Sequence, residues 1–210
     1  MSTATALFAF TGTAALLTIT PGLDTALVLR TAAVEGGRSA LLAALGIAAG
    51  CLAWGLAAGV GLGALLAASQ LAYEALRWVG AGYLLLLGVR LIRAPRNALD
   101  LASATNQADT AAPNWLVRGF LTNLLNPKVG LFYVSFLPQF IPAGSSVLGW
   151  SIMLASIHNV LGLIWFAALI AATRPLTAAL QRPAVIAWLD RITGAIFVAF
   201  AARLALASRG

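Results

Sequence analysis

Long apolar runs separated by brief polar punctuation dominate the chain. No Asp, Glu, Lys, Arg or His occurs from Met1 to Leu23 or from Ser39 to Tyr73, and of these types His158 alone interrupts the run from Val129 to Thr173. A helix needs about 20 apolar residues to cross the hydrocarbon core of a bilayer. Soluble core helices do not run that long without charge. Hydropathy read with the break signals predicts helices over approximately residues 4–31 (interrupted at Pro21-Gly22), 39–67, 71–92, 116–137, 146–172 and 185–206. The expected fold is an all-α integral membrane protein of about six transmembrane helices, with helices 1 and 4 broken at proline.

Charge placement adds sidedness. Connections after the first, third and fifth predicted helices share one side and carry Arg30, Arg38, Arg90, Arg93, Arg96, Arg118, Arg174 and Arg182, with Arg191 at the edge of the sixth helix. The opposite side carries only Arg77, Arg203 and Arg209. Positive residues stay inside, so the arginine-rich loops are expected in the cytoplasm and both termini outside. The first segment has no basic stretch before it and is expected to remain as a helix rather than be cleaved.

The two halves look related. Arg77-Trp-Val-Gly80-Ala-Gly-Tyr is followed by Arg90, and Arg191-Ile-Thr-Gly194-Ala-Ile-Phe by Arg203. Each half opens with a proline-broken helix, at Thr20-Pro21-Gly22 and at Asn126-Pro127-Lys128. Three helices per half is odd, so the halves are expected to be inverted, a recurring transporter plan with broken helices near the midplane. The organisation expected is one membrane domain over 1–210, with halves of about 1–94 and 115–210 and a cytoplasmic linker of about 95–114.

Composition agrees: 61% of the 210 residues are hydrophobic and 9% charged, against about 25% charged in soluble domains. The net charge of +7 does not suggest nucleic acid, because the arginines punctuate apolar runs instead of lining a face. Cys51 is the only cysteine, which excludes an internal disulfide and a CxxC redox pair. One histidine and one cysteine cannot build the common metal sites, so neither metal nor cofactor is expected. No nucleophile elbow surrounds the serines nearest His158, and an enzyme is not expected.

Asp24 follows the Pro21-Gly22 break. Proline removes a backbone donor, and irregular backbone at membrane depth is tolerated only where it lines a cavity or is buried in protein. A carboxylate there either caps the restarting half-helix or binds an ammonium or a proton, and intramembrane acids default to function. Lys128, the only lysine, lies ten residues beyond Arg118, about 15 Å along a helix and so near the bilayer centre. A charge there costs about 2.5–3.5 kcal/mol, tolerable with a partner or a wet cavity, or by snorkelling. An Asp24–Lys128 pair joining the two breaks is expected, opened by a substrate whose ammonium goes to the carboxylate and whose carboxylate goes to the lysine.

Asn123 and Asn126, one turn apart, are expected to face the same cavity. His158 and Asn159 interrupt the apolar fifth helix, and His158, with an unperturbed pKa near neutrality, is a candidate proton relay or an interhelical hydrogen-bond partner. Trp54, Tyr83, Tyr133 and Trp165 read first as packing or interface anchors, with pocket lining as the alternative. Gly46, Gly50, Gly55, Gly59 and Gly63 form a small-residue ridge that reads as a helix-packing seam.

These motifs resemble the LysE/RhtB family of bacterial amino-acid exporters from end to end. The matching stretches are Thr20-Pro21-Gly22-Leu23-Asp24, the Ala44–Gly50 and Gly80–Gly88 runs, Phe136-Leu137-Pro138-Gln139-Phe140 and, most specifically, Gly119-Phe120-Leu121-Thr122-Asn123-Leu124-Leu125-Asn126-Pro127-Lys128. Leu23 stands where the family commonly has a second proline, and Cys51 where relatives are often polar. The resemblance implies a secondary exporter of amino acids or related metabolites in the bacterial inner membrane, driven by protons. On the residues alone, a small-solute channel and an exporter of other metabolites stay open as alternatives. A homodimer is also compatible with the glycine ridge.

Overall fold

The computed structural model describes residues 3–68, 70–95, 114–173 and 182–206. All of the predicted apolar segments are helical. In chain order these are α1 (Thr3–Ile19), α2 (Leu23–Val34), α3 (Gly37–Ala68), α4 (Gln70–Arg93), α5 (Trp115–Leu124), α6 (Pro127–Leu131), α7 (Val147–Ala171) and α8 (Pro183–Leu206). Most of the expected linker of 95–114 lies outside the described residues, as does the 174–181 stretch with Arg174.

Among the described residues, α3 over Gly37–Gly61 and α7 over Val147–Ala171 are long and apolar enough to cross a membrane. The pair α1 and α2, bent by 51° at the break, passes the same test as one span. Large apolar side chains face outward, and polar ones sit inside among the apolar core. Phe8, Leu45, Val79, Leu121, Val160 and Trp188 are exposed, while Thr20, Thr25, Asn123, Asn126, Ser151, His158, Asp190 and Thr193 are buried. Apolar solvent outside and polar contacts inside describe an all-α, multi-pass membrane protein.

Both predicted breaks occur at their prolines. α1 stops at Ile19, Pro21 intervenes, and α2 restarts behind an extended Gly22. α5 stops at Leu124, and α6 restarts with Pro127 in its first turn behind Asn126. The second break goes further than a single proline kink: α6 passes into a π-helical turn (Phe132–Phe136) and then a 3₁₀ turn (Leu137–Phe140). The segment expected from 116 to 137 with one break at Pro127 is therefore a chain of several short pieces.

Two apolar clusters sandwich the breaks. One contains Phe10, Leu17, Cys51, Phe132, Tyr133, Phe136 and Leu154, the other Leu27, Leu29, Ile47, Trp115, Leu169 and Ile186. Leu17 and Leu27 fall on opposite sides of the first break, as Ile47 and Cys51 fall one turn apart on α3, so a polar layer lies between the clusters. In the first cluster Phe132 stacks on Phe136 at 5.1 Å, and Phe10 and Phe140 close the group at 5.4 Å.

Glycines set the helix approach. A Cβ on Gly46 would collide with the backbone of Leu116 and Phe120, and one on Gly119 with the backbone of Ala43, so α3 and α5 cross backbone against backbone. Gly88 on α4 and Gly194 on α8 meet in the same way, each facing the other's carbonyl at 2.6–2.7 Å from a built Cβ. Gly55 and Gly59 seat α3 against Ala155, Leu148 and Ser151 of α7. The ridge is a packing seam from Gly46 to Gly59, whereas Gly61 and Gly63 have nothing within 4 Å.

Gly46→Val and Gly119→Val are expected to lower the melting temperature sharply or abolish folding, since overpacking costs about 1–3 kcal/mol where side chains can yield and backbone cannot. Gly61→Val, facing open space, should melt like the parent. Equal melting of all three in detergent-solubilised protein would refute this account of the seam.

Candidate functional site

Each broken helix places a charged side chain against the break of the other. Asp24, in the first turn of α2, receives hydrogen bonds from Asn123 Nδ2 at 2.7 Å and Asn126 Nδ2 at 3.3 Å, both at the α5–α6 break. Lys128, in the first turn of α6, donates from Nζ to the carbonyls of Thr20 at 2.8 Å and Leu17 at 3.1 Å, at the α1–α2 break. The local chemistry explains both. Leu17 O lies four residues before Pro21, whose nitrogen carries no hydrogen to complete the helical ladder. The last carbonyls of α1 also carry the negative end of its dipole.

Asn126 joins the two breaks. Its Oδ1 accepts the Lys128 backbone N–H at 3.1 Å and so caps α6, while its Nδ2 reaches Asp24. Its backbone carbonyl accepts from Val129 and Gly130. Asn123 is completely buried and also donates to Cys51 Sγ at 3.4 Å. It fits because Gly50 has no side chain: a Cβ there would stand 2.6 Å from Asn123 Oδ1. The glycine ridge thus shapes the site as well as the seam.

A cavity of about 60 Å³ opens between these elements, room for on the order of four waters at ~15 Å³ each. Gly22, Asp24, Asn126, Lys128, His158 and Asn159 supply its polar wall, with Thr18, Thr20, Thr25 and Cys51, while Leu17, Ile47, Val129, Leu163 and Phe166 supply the apolar one. Of the predicted site residues, Asp24, Asn126, Lys128, Gly22 and His158 line this cavity. Asn123 stands behind Asp24 and holds it. Pro21 and Pro127 make the breaks and are not part of the wall. Asp24 and Lys128, expected as a pair, are two charges on one cavity, the carboxylate fastened by amides and the ammonium by backbone carbonyls.

His158 is buried, with Nδ1 3.1 Å from the Tyr133 hydroxyl and its ring 5.2 Å from Phe132. Asn159 Nδ2 donates to Ala48 O at 3.0 Å, tying α7 to α3. Of the four aromatics offered as alternative lining, none borders the cavity. Trp54 and Trp165 pack on the two apolar clusters, Tyr83 is exposed, and Tyr133 is buried and hydrogen-bonded to His158.

Some participants escaped the sequence reading. Thr20 Oγ1 donates to Leu16 O and lies 2.6 Å from Thr193 Oγ1, which fastens the end of α1 to α8. Asp190, one turn before Thr193, is fully buried. An acid in a largely apolar predicted helix was the available signal for Asp190.

Comparison with known proteins adds family evidence. The model for the LysE type translocator matches residues 15–208. The uncharacterised membrane protein YrhP of Bacillus subtilis (strain 168) is 31% identical over 207 residues, covering 95% of this chain and 98% of its own. The homoserine/homoserine lactone efflux protein of Salmonella typhimurium is 31% identical over 201 residues (95% and 96% of the two chains). The leucine efflux protein of Enterobacter sp. (strain 638) is 31% identical over 193 residues (90% of each). No solved structure matches.

Asn126→Asp keeps an oxygen for the α6 cap but replaces the donor to Asp24 with a second carboxylate. It is expected to retain folding while displacing Asp24, whereas Asn126→Ala loses cap and donor together at about 1–2 kcal/mol for the cap. Melting curves of the purified variants check this. Asn126→Asp melting below Asn126→Ala would show that the cap is not the stabilising part.

Proposed function

Because the chain belongs to the LysE type translocator family, we propose that it exports amino acids or closely related small metabolites across the bacterial inner membrane as a secondary-active carrier. The observation that supports a carrier most strongly is the apposition of Asp24 and Lys128 on one cavity, each lodged in the other helix's break. A zwitterion offers the complementary pair: its ammonium competes for the Asp24 carboxylate and its carboxylate for the Lys128 ammonium. The apolar wall of Leu17, Ile47, Val129, Leu163 and Phe166 receives the rest. The cavity of about 60 Å³ is smaller than an amino acid, so cargo binding widens it. Similar proteins are named for efflux of homoserine, its lactone and leucine, which supports export of a small amino acid here.

Protons are the proposed coupling ion. Protonating Asp24 removes the charge that Asn123 and Asn126 hold, frees the bound ammonium, and leaves the cavity ready to reset. His158, beside the cavity and bonded to Tyr133, is the proposed relay.

The proposed membrane arrangement has six spans in two inverted three-helix halves of about 1–94 and 115–210. The α1–α2 pair corresponds to α5–α6 with its extension, α3 to α7, and α4 to α8. The reciprocal bonding of the two breaks and the crossing of α4 with α8 at Gly88 and Gly194 are what an inverted pair would produce. Arginine-rich connections lie in the cytoplasm and both termini outside in this arrangement. A homodimer contact would use the end of α3, where Gly61 and Gly63 are open.

Cells expressing the protein and loaded with amino acids as dipeptides should release one or a few of them saturably, with release abolished by a protonophore. Asp24→Asn and Lys128→Ala, inserted at normal levels, should each cut that release at least tenfold. Normal release from both variants would sink the proposed site, and release unaffected by the protonophore would sink proton coupling.

A further inference from the structure

The end of α1 is built as a receptor for a small cation, and the occupant is part of the chain. Helical bonding continues to Thr20, whose N–H reaches Leu16 O at 3.1 Å. The next carbonyl in the ladder, Leu17 O, would be bonded by the residue at position 21, and proline has no N–H to give. Leu17 O and Thr20 O instead converge on one atom, Lys128 Nζ, at 3.1 and 2.8 Å. Neutral carbonyl oxygens at unwound backbone and at the negative ends of half-helices are the ligands for sodium in carriers with broken helices. Asp24 faces the same cavity and adds a full negative charge.

The seat is also held in place. Thr20 Oγ1 donates to Leu16 O and meets Thr193 Oγ1 at 2.6 Å, fixing the end of α1 to α8. Gly22 borders the seat, where a Cβ would stand in ordinary contact with Lys128 Nζ at 3.7 Å. The lysine backbone is anchored separately by the Asn126 cap. Position and ligands are therefore set by groups other than the ammonium itself, so the seat should outlast the removal of that ammonium.

We infer that the carbonyls of Leu17 and Thr20 form a monovalent-cation seat that the Lys128 ammonium fills as a tethered substitute for a free cation. Two consequences follow. The native protein needs no alkali cation at this position. Vacating the seat creates a site for a compact cation, either a primary alkylammonium or an alkali ion, and excludes bulky quaternary ammonium.

The experiment uses the purified full chain in detergent and reads melting temperature, so it is independent of cargo and of the export reading. Lys128→Ala is titrated with methylammonium, sodium or potassium chloride at ionic strength held constant with choline chloride, and tetramethylammonium is the size control. The expected result is a saturable rise of several degrees with methylammonium or an alkali cation. Neither tetramethylammonium nor choline should raise it, and the parent should show no such rise. Lys128→Met, which keeps most of the side-chain bulk in the way, should respond less than Lys128→Ala. If Lys128→Ala is recovered folded only when purified in methylammonium, that also supports the seat. A flat response in both variants, or the same rise in the parent, overturns it.

Discussion

Breaking a helix inside a bilayer strands backbone groups where no water can satisfy them, at several kcal/mol for each group left alone. Here two such breaks are set against one another and exchange partners. Asp24 from the first accepts the side-chain amides of the second, and Lys128 from the second donates to the carbonyls stranded in the first. Neither break is self-sufficient. The carboxylate needs donors that lie about a hundred residues away in the chain, and the freed carbonyls need a cation from the same distant segment. This mutual satisfaction gathers two opposite charges onto one cavity, and the proposed recognition of a zwitterion follows from it.

Holding the breaks together requires close helix approach, and that is the work of glycine. Gly46 and Gly119 bring α3 against α5, which delivers Asn123 and Asn126 to the site, and Gly50 leaves the space that Asn123 occupies. Gly88 and Gly194 do the same for α4 and α8, and α8 in turn supplies Thr193 to the end of α1. Above and below the polar layer, the Phe10–Phe132–Phe136–Phe140 group and the Leu27–Ile47–Leu169 group close the interior with apolar surface. A charged site between two dry clusters has little water to compete with its ligand, which strengthens each polar contact made there.

Much of this was legible in the sequence because membranes restrict what a chain can do. Charge-free runs marked the helices, the prolines marked the breaks, and a lone acid and a lone lysine beside those breaks marked the site. Direct pairing of Asp24 with Lys128 was the simplest reading of two opposite charges. The structure also gives each charge partners of its own, Asn123 and Asn126 for Asp24 and two backbone carbonyls for Lys128, and a carbonyl freed by proline is invisible in a residue string. Asn126 could be placed near the site from its spacing, but its double role as cap and bridge depends on the geometry of both breaks. The Tyr133–His158 bond arises from a π-helical turn that no hydropathy pattern marks. Thr193 carries neither charge nor break to mark it, and its bond to Thr20 depends on how α8 meets the end of α1.

The central claim is that the two breaks hold each other through specific polar contacts, which a double-mutant cycle between Asp24 and Asn123 measures directly. Unfolding of Asp24→Ala, Asn123→Ala and the double variant should be non-additive, with the double variant losing less than the sum of the singles by about 0.5–3 kcal/mol. Additive losses would mean that the two side chains stabilise the protein independently and would contradict the account.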